Sequence, residues 1–306
     1  MPWQTVHFIG LLANCDSSIL RIPLEHAFSL QEISSSEAIR FIRRLEGRRY
    51  QDSRVTLAML HCIGPSNKAY VIKNHIEEGI EIEKGRTKDL SPVMDFIAKY
   101  MNKYLIERVF PLMRLFKEGN IAMPLAYFYC QERDALMGSL SGPRKSFVRK
   151  ELYTVKEEVA EIVEFISTTE IPFKKDFLKL AFYTFELSYL IPSDSLSFLV
   201  LMMSLETLLN PGGGEIRYRL SRNTAVLVGT NKANSQRAFC EMKNLYDKRS
   251  DIIHGHKGVQ IKKEELRNLG SHVRESIKEV CIVNKDKISL MGLLDSCGFG
   301  ERPWRE

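Results

Sequence analysis

Leu245-Tyr246-Asp247-Lys248-Arg249-Ser250-Asp251-Ile252-Ile253-His254-Gly255 reads as the last turns of an amphipathic helix over residues 235–253. Its apolar residues Phe239, Met242, Leu245, Tyr246 and Ile253 recur at helical spacing and form one stripe. Arg249 falls in register with that stripe, so a guanidinium is aimed at the packed side. Burying it is costly unless it is paired or faces a polar cavity, because arginine does not discharge by losing its proton. His254 precedes Gly255, the residue type that most readily ends a helix. Five residues of straight helix turn through about 140°, so Arg249 and His254 do not share a face. Fraying at Gly255 could bring them together, or a second copy of the motif could meet the first across a two-fold axis.

The same periodicity extends on both sides. Helices are predicted over 152–165, 174–190, 194–209, 215–228 and 263–280, with capping signals at Ser193-Asp194 and Asn234-Ser235. Together they make an antiparallel bundle. The first part of the chain differs. Residues 5–15 and 18–28 have strand composition, 55–62 and 69–73 suggest a hairpin around Gly64-Pro65-Ser66-Asn67, and 36–44 looks helical beside a basic cluster of Arg40, Arg43, Arg44, Arg48 and Arg49. A long helix is predicted from Asp89, through Met94, Ile97, Met101, Tyr104, Leu105 and Val109, until Pro111 perturbs or ends it. A strand-like run, 123–130, and Gly142-Pro143 then make 120–145 an irregular join. The expected class is α+β: a smaller mixed α/β domain over 1–145 for sensing or positioning, an all-α bundle over 146–290, and a C-terminal tail over 291–306, docked or loose.

The 306 residues carry a formal charge of +6, basic enough to suit a phosphate-bearing partner without requiring one. No apolar run is long enough to span a membrane; the nearest, 196–209, contains Ser197, Ser204, Glu206 and Thr207 and reads as a buried helix. The apolar start, 6–15, lacks the basic flank of a leader and reads as a first strand. Six scattered cysteines show neither paired nor zinc-type spacing, the usage of reduced thiols in a cytoplasmic protein. Residues 1–120 hold no phosphate loop, nucleophile elbow or metal-ligand cluster.

Candidate chemistry therefore concentrates near Arg249 and His254. Ser250 and Asp251 precede His254 by four and three residues, and either could hold a ring nitrogen and fix its tautomer. A base of near-neutral pKa beside a permanent cation suits metal-free RNA cleavage by the ribose 2′-hydroxyl, with no cofactor. Glu206 stands in a helix apolar nearly all round and needs a cationic partner, Arg249 or Arg222. Arg217, Arg219 and Arg222, with Lys248 and Lys257, form either an RNA-contacting rim or a solvated face. His254 and His256 make an H-x-H pair, but no further ligands stand at metal-site spacing.

Three blocks in order carry a resemblance: Ser204-Leu205-Glu206-Thr207-Leu208-Leu209, Ile216-Arg217-Tyr218-Arg219-Leu220-Ser221-Arg222, and the opening stretch with its R-x4-H spacing. Over about 170–285 the chain resembles HEPN (higher eukaryotes and prokaryotes nucleotide-binding) domains of the ApeA-like branch. The resemblance implies a four- to five-helix bundle, a homodimer whose two motifs line one cleft, and endoribonuclease activity at Arg249 and His254, supported by Glu206, Ser250 and Asp251. RNA, including transfer RNA, would be the substrate, and an antitoxin or trigger ligand a further partner in a toxin or antiviral defence role. Ser250 departs from the Asn, Asp or His that many active members carry after the arginine. The alternative is a noncatalytic HEPN module that binds nucleotide, RNA or protein.

Overall fold

The computed structural model describes residues 4–25, 28–39, 68–78, 100, 102–130, 135–141, 151–210, 212–256 and 258–305. The chain divides into two compact units, Met1–Thr169 and Glu170–Glu306. The sheet unit is thus the larger and extends beyond the boundary at 145 that the sequence suggests.

In the first unit, β1 (Gln4–Ala13), β2 (Ser29–Ser34), β3 (Lys68–Glu78), β4 (Ala122–Cys130) and β5 (Ala135–Ser141) form one antiparallel sheet in the order β2-β3-β1-β4-β5. With the helical second unit this gives the α+β class. Ala122–Cys130 and Ala135–Ser141 are therefore two paired strands where the sequence suggests an irregular join. β1 is the central strand, paired with β3 on one edge and β4 on the other and buried on both faces from Phe8 to Ala13, and a Cβ at Gly10 would lie 2.2 Å from Met123 Sδ.

Residues 18–28 do not form the predicted strand. Asp16 caps a 3-10 turn, Ser17–Arg21, by accepting from the Ser18 N–H at 2.9 Å, and Pro23, which has no N–H for a ladder, follows. Val71 to Lys73 have strand partners on both sides, β1 and β2; the other arm of the predicted hairpin, 55–62, lies outside the described residues, as do the basic cluster from Arg40 to Arg49, Asp89 to 99, and Gly142-Pro143.

The helix that Pro111 was expected to perturb or end changes type there. Asn102–Val109 is π-helical, and α1 (Phe110–Phe116) continues from it with Pro111 in its first turn; Pro111 has no N–H to give to the carbonyls of the preceding turn, and the helix changes type at that point. The next helix, α2 (Val159–Thr168), starts later than predicted because Tyr153 is drawn into the sheet unit: its N–H donates to Asn14 O at 2.7 Å and its ring is buried.

The second unit is built from α3 (Asp176–Ser188), α4 (Asp194–Leu209), α5 (Ile216–Val228), α6 (Lys232–Ile253), α7 (Lys263–Val283) and α8 (Lys287–Ser296). α4 packs against α3, α5, α6 and α7, burying Phe198, Leu201, Met202, Leu205 and Leu208. Small hydroxyls let α3 approach closely, with Ser197 Oγ donating to Ser188 O at 2.8 Å and Ser204 Oγ to Ala181 O at 2.7 Å. Ser193 caps α4 as predicted; α6 is capped by Asn231, one turn before the predicted Asn234-Ser235 signal.

Residues 291–305 are docked. α8 takes up the first of them. Beyond it Trp304 Nε1 donates to Glu279 Oε2 at 2.9 Å, Arg305 Nη2 donates to Oε1 at 2.6 Å, and Arg302 completes the cluster. Burial alone would raise the Glu279 carboxyl; the donations from Arg305, Arg302 and Trp304 outweigh it and hold the group below the usual carboxylate range. Gly300, at φ +89°, rests on the start of α6, where a Cβ would fall 2.6 Å from Lys232 N.

Candidate active site

The helix α6 ends as its sequence requires. The His256 N–H donates to Asp251 O at 3.0 Å, the Gly255 N–H to Ile252 O at 3.1 Å, and Gly255 adopts φ +68°, a Schellman closure. His254 is the C-cap residue, its N–H donating to Ser250 O at 2.9 Å. Ser250 therefore contributes its carbonyl to the helix end. The terminus is closed rather than frayed, and among the described residues no hydrogen bond or ion pair joins Arg249 to His254.

Arg249 is answered by Glu206 of α4. Its Nε lies 3.2 Å from Glu206 Oε1, with the two side chains 27% and 21% exposed. The contact is an ion pair that lacks hydrogen-bond alignment, and Oε1 is left buried without a hydrogen-bond donor. Burial raises the Glu206 carboxyl above the usual carboxylate range, and Arg249 only partly opposes that rise. Arg249 also lies over the ring of Tyr246, 5.5 Å from its centroid, a contact the sequence reading did not single out. Burial and the neighbouring Glu206 raise the Tyr246 hydroxyl. Of the two cations available to Glu206, Arg249 takes it. Arg222 lies elsewhere, donating to Leu294 O and Cys297 O at 2.8 Å each and so satisfying the exposed carbonyls at the end of α8.

Asp251 binds the neighbouring imidazole instead of His254: its Oδ1 lies 3.0 Å from His256 Nδ1. The His254 and His256 rings stand 6.3 Å apart at 35°, and both residues are exposed. The candidate rim is largely neutralised. Arg217 Nη2 pairs with Asp247 at 2.5 Å, Lys248 Nζ with Glu265 at 2.5 Å, and Arg219 Nη1 donates to Gly212 O at 3.2 Å. Lys257 lies outside the described residues. Among the described residues no three His, Cys, Asp or Glu side chains are grouped as a metal site would need, and no helix is long and apolar enough to cross a membrane.

The Glu279 cluster escaped the sequence reading, although two signals existed: a glutamate within the apolar pattern Leu269, Val273, Ile277, Val280, and two arginines flanking Trp304 in the final residues. Comparison of the chain with family models, with curated proteins and with solved structures finds no match.

Proposed function

We propose that the second unit is a HEPN-type endoribonuclease module that cleaves RNA without a metal, as a homodimer, in a toxin or antiviral defence role. One observation carries this reading: Glu206 holds Arg249 at the surface near the closed end of a helix whose next side chains are exposed imidazoles. In it, Arg249 stabilises charge on the phosphoryl oxygens and His254 takes the 2′-hydroxyl proton. The two are about 140° apart on one helix, so a second copy supplies the partner of each. Support for self-association comes from α4, which is apolar nearly all round and leaves Leu196 and Met203 55% and 54% exposed on one face. RNA specificity follows from the 2′-hydroxyl.

A second reading has its own observation. Arg249, Arg217 and Lys248 already face carboxylates, as they would in a noncatalytic module that binds nucleotide, RNA or a protein partner. A pool of transfer RNA and single-stranded RNA, incubated in chelator, separates the two. The ribonuclease leaves 2′,3′-cyclic phosphate ends and loses at least ~100-fold in rate in both His254→Ala and Arg249→Ala. An inert wild type, or cleavage indifferent to both changes, selects the binding module.

A further inference from the structure

The R-x4-H spacing counts one histidine, yet the closure of α6 orders two. His256 is tied to Asp251 twice, by its backbone N–H to the Asp251 carbonyl at 3.0 Å and by its Nδ1 to Oδ1 at 3.0 Å. These bonds fix both the chain and the ring, and they turn Nε2 away from the carboxylate. Among the described residues no side chain hydrogen-bonds the His254 ring, so the two imidazoles sit in different surroundings. At 6.3 Å between centroids they are separated enough to be bridged by a bound phosphoryl group.

Resting on the ribonuclease reading above, we propose that His256 is a second catalytic residue, the general acid that protonates the departing 5′-oxygen, and that Asp251 is its positioning residue. In-line displacement places the entering and leaving oxygens on opposite sides of phosphorus, so one imidazole does not reach both within the ~2.6–3.2 Å that proton transfer needs; the other copy's His254 is one source of a second, and His256 is the one that the same chain already holds in place beside His254. Two imidazoles flanking the phosphate reach both. The 2′-oxygen gives its proton to His254 and bonds to phosphorus, the bond from phosphorus to the 5′-oxygen breaks, and the Nε2 proton of His256 passes to that oxygen. The products are a 2′,3′-cyclic phosphate and a 5′-hydroxyl, and exchange with water restores both rings. In its protonated form His256 donates Nδ1–H to Asp251 and presents Nε2–H outward, the geometry a proton donor requires.

The test compares two oligoribonucleotides that differ at one linkage, the ordinary 5′-oxygen against a 5′-bridging sulfur, whose thiolate departs without being protonated. Rates are measured in chelator for the full chain and for His256→Ala, His256→Gln, Asp251→Asn and His254→Ala. Both His256 variants are expected to lose about 10²–10⁴-fold on the oxygen linkage and to approach the wild-type rate on sulfur. Asp251→Asn should fall by about tenfold and be restored in the same way, which a merely structural role would not produce; His254→Ala should stay slow on both. Oxygen-linkage cleavage at the wild-type rate by the His256 variants, or an equal loss on the two linkages, overturns the assignment while leaving the ribonuclease reading in place. A wild type inert on both removes that reading and this assignment together.

Discussion

Glu206 carries opposing demands: its burial favours the protonated form, while Arg249 beside it favours the carboxylate. Because the raised value belongs to the folded protein, folding takes up a proton at this site between the ordinary carboxylate range and that value. The stabilisation is complete below the ordinary range and is lost as pH rises through the folded value. Glu206→Gln keeps the shape and removes the titration, so its thermal midpoint should match wild type near pH 4 and exceed it at pH 7. A lower midpoint at pH 7 would mean that the pair with Arg249 outweighs the burial. The need for a partner at Glu206 was legible from its apolar setting, and the cost of an unpaired Arg249 pointed to the same pair. The Asp251 choice was not legible, since three residues separate it from His254 and five from His256, and only the reversal of the chain at Gly255 brings the longer spacing into contact.

At the scale of the element, the end of α6 depends on one backbone angle. A Cβ at Gly255 would meet no atom within 4 Å, so replacing it costs only the left-handed conformation. Gly255→Ala should cost about 1 kcal/mol in urea unfolding, and Gly255→Asn less; an alanine variant as stable as wild type would show that the closure contributes nothing. Helical periodicity made α3 to α7 legible to within a few residues because each buries one side against neighbours of its own unit. It failed where composition and periodicity were ambiguous. The 18–28 run is rich in apolar residues yet is claimed by the Asp16 cap and broken by Pro23, and the stretch before α2 is held extended by Tyr153. Pro111 marked a real discontinuity, but its position in the first turn of α1 makes it a change of helix type.

The chain as a whole divides into two compact units. The nearly all-round apolar character of α4 suggested complete burial; instead one stripe remains uncovered in a single chain. If that stripe is where two copies meet, Leu196→Glu with Met203→Glu should convert a dimer to a monomer in sedimentation experiments, with the far-ultraviolet dichroism unchanged and RNA cleavage lost. A double variant that still sediments as wild type would move the interface elsewhere. The unit boundary was legible only approximately, because the first unit is extended past 145 by scattered contacts without periodicity: buried Tyr153 and Val155, and α2 packed on α1 through Phe116 and Phe165. The docked tail has a consequence for mutational tolerance. Gly300 leaves no room for a side chain against the start of α6, and Glu279, 5% exposed, is the shared acceptor of three later residues. In a library of all single substitutions, positions 300, 302 and 304 would behave like interior sequence, with position 300 accepting almost nothing, while the open glycines at 212 and 214 meet no steric barrier of that kind.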